Sequence, residues 1–128
     1  MSHQKTIDTT GQHIKTTDAT VTVLSQFQTN PSKGNIVIVA ITGLNNALTQ
    51  AAGYKWTGTF FTTAAGVLAQ AGSSSAVGTA QESNAAWDTV LEASGTVIRT
   101  RVTGAAATVI TWRGTMDILE VGLEPYDT

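Results

Sequence analysis

Apolar and polar positions alternate with a period of two along much of the chain, which is the pattern of β-strands packed on a core by one face. Residues 20–27 are rich in β-branched side chains, and their alternation predicts that Val21, Val23 and Phe27 share a buried face. Residues 36–41 form an unbroken apolar run, which predicts a strand covered on both faces. These patterns indicate an all-β protein.

Residues 54–62 alternate most clearly, and Phe61 faces the side opposite to the other rings of this stretch. The last predicted strand covers residues 108–121, and its apolar positions also share one face. Three aromatic residues on the inward side of these strands are expected to be core residues: Trp56, Phe60 and Trp112.

Turn residues separate the predicted strands. Ser94 and Gly95 predict a two-residue hairpin between residues 89–93 and 96–102, and residues 104–107 are expected to close the next hairpin. Ala64-Ala65-Gly66 predicts a further hairpin turn.

Residues 44–53 leave two alternatives open. They could form one or two helical turns, with Asn45 or Asn46 as the cap, or a long loop between strands.

About eight strands, with turn signals every eight to twelve residues, predict a β-sandwich or a small barrel. We favour an antiparallel β-sandwich of jelly-roll-like or Greek-key type. The predicted organisation is a polar N-terminal arm at residues 1–17, available for docking, one sandwich domain at residues 18–124, and a C-terminal tail at residues 125–128.

Composition narrows the function classes. The 128 residues are 41% hydrophobic and 12% charged, with a net charge of -2 and no cysteine. The apolar content argues against disorder, and the missing cysteine excludes a disulfide framework and a cysteine-ligated zinc site. A net charge of -2 provides no basic surface for nucleic acid or anionic membranes, so we expect neither as a partner. The first residues also contain no apolar stretch of the kind that forms a secretory signal.

Catalytic patterns are weak. The two histidines, His3 and His13, lie in the polar N-terminal stretch, and the carboxylates are spread along the chain without a paired motif. Glu92 is expected to form a cross-strand ion pair with Arg99. The sequence therefore predicts no catalytic residue, no metal site and no cofactor.

Aromatic rings near loops provide an alternative, because exposed rings are stacking platforms for sugars. A carbohydrate-binding site would use Tyr54 and Trp87 together with Asn45 and Asn46. A glycan-active enzyme subunit is a third hypothesis, and it requires two carboxylates that converge in a cleft.

Residues 54–121 contain an ordered series of short motifs, and residues 16–20 look like the start of the same pattern. The series resembles a recurring module in the structural proteins of tailed bacteriophages, over about three quarters of the chain. The motifs that carry the resemblance are Ala85-Ala86-Trp87-Asp88, Val102-Thr103-Gly104-Ala105 and Thr111-Trp112.

The resemblance implies an antiparallel β-sandwich that forms symmetric oligomers and attaches to a virion or contacts a host. Since the module occupies a chain with its own Met1, we expect a small stand-alone protein rather than a classical tail fibre. The leading hypothesis is a noncatalytic virion protein, a capsid decoration or head-fibre homotrimer bound to the major capsid protein or another virion component. The alternative is a fibre knob that binds a host-surface glycan.

Overall fold

The computed structural model of the protein describes residues 2–8 and 12–123. Within these residues the chain forms two antiparallel sheets packed as a β-sandwich, which confirms the predicted fold class. The strands are β1 (Ser2–Asp8), β2 (Gln12–Thr16), β3 (Thr22–Gln28), β4 (Lys33–Asn45), β5 (Ala51–Thr62), β6 (Leu68–Gln70), β7 (Ser75–Ala76), β8 (Gln81–Glu82), β9 (Asp88–Ser94), β10 (Val97–Thr103) and β11 (Ile110–Leu123).

The large sheet has the order β1-β11-β4-β5-β6, and β2 also pairs with β11, while β7 and β8 pair with β5. Its centre is the antiparallel pairing of β4 and β11, which runs from Lys33 opposite Gly122 to Asn45 opposite Ile110. The small sheet has the order β3-β10-β9. Because the small sheet is narrower and its strands are shorter, it faces only part of the large sheet.

The core lies between the two sheets and is centred on Trp112. The ring of Trp112 meets Trp87 edge-on at a centroid distance of 5.7 Å and Tyr54 at 6.5 Å. Its Nε1 donates a hydrogen bond of 3.0 Å to the hydroxyl of Thr16. Each predicted core ring lies on the inner face: Phe60 and Trp112 are fully buried and Trp56 is half-buried.

The strand predicted at residues 20–27 is present as β3, but the prediction of its buried face is wrong. The pairing of β3 with β10 slips by one residue at Leu24. Such a bulge turns successive side chains to the same side, and Leu24 and Ser25 are both buried. Two of the three residues expected in the core, Val21 and Val23, are therefore exposed, while the third packs against the core.

The apolar run at residues 36–41 forms a strand, but it is not covered on both faces. Val37 and Val39 are fully buried beneath the small sheet. Ile36 and Ile38 point the other way and are exposed. The prediction assumed a layer on each side of the strand, and this fold provides one.

The helix alternative for residues 44–53 is wrong, because β4 ends at Asn45 and β5 begins at Ala51. The connection is a tight hairpin stabilised by a side chain. The Oδ1 of Asn45 accepts hydrogen bonds from the backbone N–H groups of Thr49, at 2.9 Å, and Gln50, at 3.0 Å.

Two other turn predictions had opposite outcomes. A two-residue hairpin is present, but one residue later than predicted: Ser94 pairs with Val97, so the loop is Gly95, with a φ of 59°, and Thr96. The hairpin expected at residues 104–107 is wrong: this segment joins β10 in the small sheet to β11 in the large sheet. Local turn residues do not reveal whether the next strand pairs with the last or crosses to the other layer.

Residues 1–17, expected to form a polar arm, contain β1 and β2, which extend along one edge of β11. The predicted tail at residues 125–128 lies outside the described residues. In the part of the chain that the structure describes, there is no helix long and apolar enough to cross a membrane.

Candidate interaction surface

The outer face of the large sheet, which points away from the small sheet, carries a group of exposed apolar side chains. Five of them lie on adjacent strands, β11, β4 and β5. We call this group the apolar end; its members and exposed fractions are Ile36 41%, Ile38 52%, Phe61 45%, Leu119 47% and Val121 41%. Contiguous apolar surface of this kind marks an interaction site more often than isolated exposed residues do.

Strand register places the members of the apolar end side by side. Val121 and Phe61 flank Gly34 from the two neighbouring strands, and Leu119 lies beside Ile36. Cross-strand neighbours have Cβ atoms about 5 Å apart, so these side chains form one patch. Ile38 continues the patch along β4.

A groove of about 410 Å³ runs through the apolar end, over Gly34 and Ile36. Gly34 opens it, because a Cβ at this position would lie 3.3 Å from Cγ1 of Val121. The walls come from Phe61, Leu119 and Val121. The groove is therefore a depression in the sheet surface at Gly34, which has no side chain to fill the space between Phe61 and Val121.

The rest of the outer face, which we call the basic end, carries the exposed Lys15, Lys55 and Arg113, on β2, β5 and β11, together with the exposed apolar Leu44. Charged groups also border the apolar end. Asp117 lies directly beside Ile38, and Lys55 is the next outer position of β5 after Thr57, which pairs with Ile38.

Beneath the apolar end, the inner face of the sheet carries buried polar groups beside the apolar core residues Val37, Phe60 and Ile118. Asn35 and Glu120 are opposite each other on β4 and β11, and both are buried. Within the described residues, both amide atoms of Asn35 and the Oε2 of Glu120 have no hydrogen-bond partner, and neither does the buried hydroxyl of Thr62. At this end of the sheet, polar groups are buried on the inner face while large apolar side chains are exposed on the outer face.

The outer face of the small sheet has a different chemistry. Arg99 Nε donates to Glu92 Oε2 at 2.7 Å, and Arg101 Nη2 donates to Glu92 Oε1 at 3.0 Å. Desolvation pushes the pKa of Glu92 upwards, but the hydrogen bonds and charges of the two arginines outweigh it and hold this pKa below its ordinary value of 4.5. The expected cross-strand pair of Glu92 and Arg99 is present and includes a second arginine.

The residues proposed for carbohydrate stacking are buried. Trp87 is 1% exposed and Tyr54 6%, and both rings pack on Trp112 in the core. Asn45 closes the β4–β5 hairpin with its side chain, and Asn46 is exposed on the same turn. The structure therefore brings the two rings together as core residues, with no open ring face for a sugar.

The hydroxyl of Tyr54 reaches the edge of the core, where it donates a hydrogen bond of 2.6 Å to Oε2 of Glu82. Burial, this hydrogen bond and the negative charges of Glu82 and Asp88 all raise the pKa of Tyr54 above its ordinary value of 10. The phenol is held in its neutral, donating form. Among residues 12–122, whose side chains the structure describes, no three His, Cys, Asp or Glu side chains gather as metal ligands.

Sequence analysis did not identify the apolar end as a surface. The signal was present in the unbroken run at residues 36–41 and in Phe61, which was expected to face away from the other rings. Two further members, Leu119 and Val121, lie on β11 and join the patch only through strand register.

No family model and no curated protein matches the chain. Among solved structures, the chain is similar to one described as "Crystal structure of Acinetobacter baumannii phage AM24 tailspike protein", with 14% sequence identity and a TM-score of 0.49. The similarity covers 92% of this chain and 26% of that chain, so the present chain spans about a quarter of its length.

Proposed function

We propose that this chain is a noncatalytic structural protein of a tailed-phage virion, an oligomeric capsid decoration or head-fibre protein attached to the particle surface. The observation that carries the proposal is the apolar end of the outer face, because an exposed patch on a well-formed sheet is typical of proteins that work by contacting other proteins. The assignment to a virion rests on the resemblance of residues 54–121 to phage structural modules.

The state of the polar groups is consistent with a structural role. Glu92 is neutralised by two arginines, which suits a cross-strand clamp better than a general acid or base. Tyr54 is held by Glu82 at the edge of the core. Both sets of contacts hold strands together.

The direct test is binding of the purified full-length protein to virions that lack it. We expect saturable co-sedimentation with the particles, and release of the protein as an oligomer, a trimer in our proposal, when the particles are dissociated. A protein that does not bind such particles at saturating concentration would contradict the proposal.

Amine-reactive cross-linking on the reconstituted particles locates the attachment. The lysines are Lys5, Lys15, Lys33 and Lys55. Cross-links from Lys5 and Lys15 to a particle protein would support attachment through residues 1–17. Cross-links from Lys33, at the start of β4, would support attachment through that end of the sandwich.

A further inference from the structure

We propose that copies of this chain associate through the apolar end of the outer face, with Phe61 of one copy seated over Gly34 of the next. The inference rests on the oligomeric state in the proposed function and adds which surface and which residues make the contact. The occupant of the surface is a second copy of this chain.

The area of the patch matches one interface of ordinary size. The five exposed apolar side chains present on the order of 400 Å² of surface, within the range of functional patches on monomers. A standard interface buries about 800 Å² per partner, of which roughly 60% is apolar. The apolar end therefore supplies most of the apolar area that such a contact needs, and the neighbouring threonines of β5, Thr57 and Thr59, supply polar rim.

Charge also favours self-contact here. The five side chains of the apolar end are uncharged, so two copies can bring these patches together without opposing like charges. The nearest charged side chains on the outer face differ in sign: Asp117 lies beside Ile38, and Lys55 is the next outer position of β5 after Thr57, which pairs with Ile38. A second copy that covers the apolar end therefore meets one negative and one positive group at its border, and not a block of like charges.

The buried polar groups at this end are an independent observation. Asn35, Thr62 and Glu120 take inner positions beside the core, so this end buries less apolar surface within a single copy than an inner face made only of apolar residues would. The exposed apolar side chains on its outer face can add to that burial only when a layer from outside the chain covers them, as the apolar run at residues 36–41 also implies.

The groove supplies the complementary shapes. Phe61 projects beside it, and Gly34 leaves its floor open. A cavity of about 150 Å³ is enough to accept benzene, so a groove of about 410 Å³ has room for a phenyl ring. A ring that enters a groove of this kind is typical of the residues that dominate binding energy in interfaces.

Sedimentation velocity on full-length variants tests the contact. Phe61→Thr removes the ring and keeps a β-branched strand former, and Gly34→Val fills the groove at a position without positive φ. We expect each to raise the dissociation constant at least tenfold. The matched control is Val77→Thr, which removes the same kind of exposed group from the segment between β7 and β8 and should leave association within about twofold of the wild type.

Circular dichroism and urea unfolding verify that each variant is folded, and Gly34→Ala provides a milder substitution if Gly34→Val disturbs the sheet. A wild-type protein that is monomeric at high concentration would overturn the inference. So would equal association of Phe61→Thr and the wild type.

Cross-linking gives a second readout, because the natural chain has no cysteine. A short bis-maleimide should join copies of Ile36→Cys, which lies at the centre of the patch, and should not join copies of Val77→Cys. Failure of the associated Ile36→Cys protein to cross-link, or equal cross-linking of both variants, would overturn the inference.

Particle binding separates this inference from the proposed function. Virions that bind a monomeric protein would contradict self-contact and leave the virion role intact. Association through the apolar end by a protein that does not bind virions would support self-contact and contradict the virion role.

Discussion

The two outer faces of the sandwich differ in how their side chains are satisfied. On the small sheet, Glu92 is held by Arg99 and Arg101, so the charged groups of this face have partners within the chain. On the large sheet, Ile36 and Leu119 are adjacent and both are exposed. The charged groups of one face are thus paired within a single copy, whereas the apolar groups of the other are left exposed and, in our proposal, are covered by a second copy.

This difference between the two outer faces allows effects on folding to be distinguished from effects on association. Burial of apolar side chains between the sheets stabilises the single chain, whereas burial of the apolar end would, in our proposal, stabilise an assembly. Substitutions on the outer face of the large sheet should therefore change association with little change in monomer stability. Substitutions in the ion-pair cluster of the small sheet should do the reverse.

The largest expected effect distinguishes neighbouring residues on β11. Ile118 is fully buried and Leu119 is half exposed. We expect Ile118→Ala to lower the free energy of unfolding by about 2–5 kcal/mol, because it leaves a cavity. Leu119→Ala should cost less than about 0.5 kcal/mol in dilute protein and more where copies associate.

Urea unfolding of both variants, at low and at high protein concentration, measures these losses of stability. If Leu119→Ala costs as much as Ile118→Ala at low concentration, the outer face is not an open surface in the single chain.

A second prediction contrasts two glycines of β4. A Cβ on Gly43 would lie 2.8 Å from the ring of Trp112, so Gly43→Ala should lower the free energy of unfolding by about 1–3 kcal/mol. A Cβ on Gly34 meets only a Val121 methyl group at 3.3 Å, on the outer face. Gly34→Ala should leave thermal unfolding of dilute protein nearly unchanged. A larger loss for Gly34→Ala than for Gly43→Ala would mean that the two faces are assigned to the wrong sides.

Salt should affect the two faces differently. Sodium sulfate strengthens apolar burial, so we expect it to tighten association several-fold. Sodium chloride screens charges and should change association by less than about twofold. Sedimentation velocity across both salt series measures the two responses. Tenfold weakening by sodium chloride would instead indicate that the basic end, with Lys15, Lys55 and Arg113, holds the copies together.

The smallest expected effect concerns the ion-pair cluster. Glu92→Gln should lower the free energy of unfolding by about 0.5–1 kcal/mol at pH 7 and leave association unchanged. Since folding lowers the pKa of Glu92, its contribution is present above the pKa of the unfolded state and is lost as the pH falls through the folded-state pKa. The wild type and the variant should therefore converge in acid.

Urea unfolding over a pH series provides the measurement. Arg99→Gln is the matched control, because it removes one partner and should reproduce part of the loss. A difference between Glu92→Gln and the wild type that persists in strong acid would show that the carboxylate charge is not its source.

Much of the fold could be predicted because the relevant signals are local. Alternation in residues 54–62 correctly predicts the direction of Phe60 and Phe61, and Ser94 with Gly95 predicts a hairpin whose loop lies one residue later. The buried face of residues 20–27 could not be predicted, because the bulge at Leu24 depends on pairing with β10. A slip of one residue exchanges the two faces of a strand.

The candidate site was harder to predict than the fold. Trp87 near a predicted loop was compatible with a sugar platform, and only its contact with Trp112 shows that the ring belongs to the core. Leu119 and Phe61 are far apart in sequence and join one patch because β4 pairs with both of their strands. Surface patches on sheets depend on strand order, which no local pattern contains.

The sequence by itself determined that the chain forms strands, the approximate positions of β3, β5, β9, β10 and β11, and that Trp56, Phe60 and Trp112 enter the core, since these follow from side-chain period and local turn chemistry. Only the tertiary structure decided that the unbroken run at residues 36–41 has one protein layer and not two. The physical reason is that an apolar side chain has the same preference for burial whether its cover comes from its own chain or from another. The number of layers that one chain forms therefore determines which of its apolar residues stay exposed and can be covered by another chain.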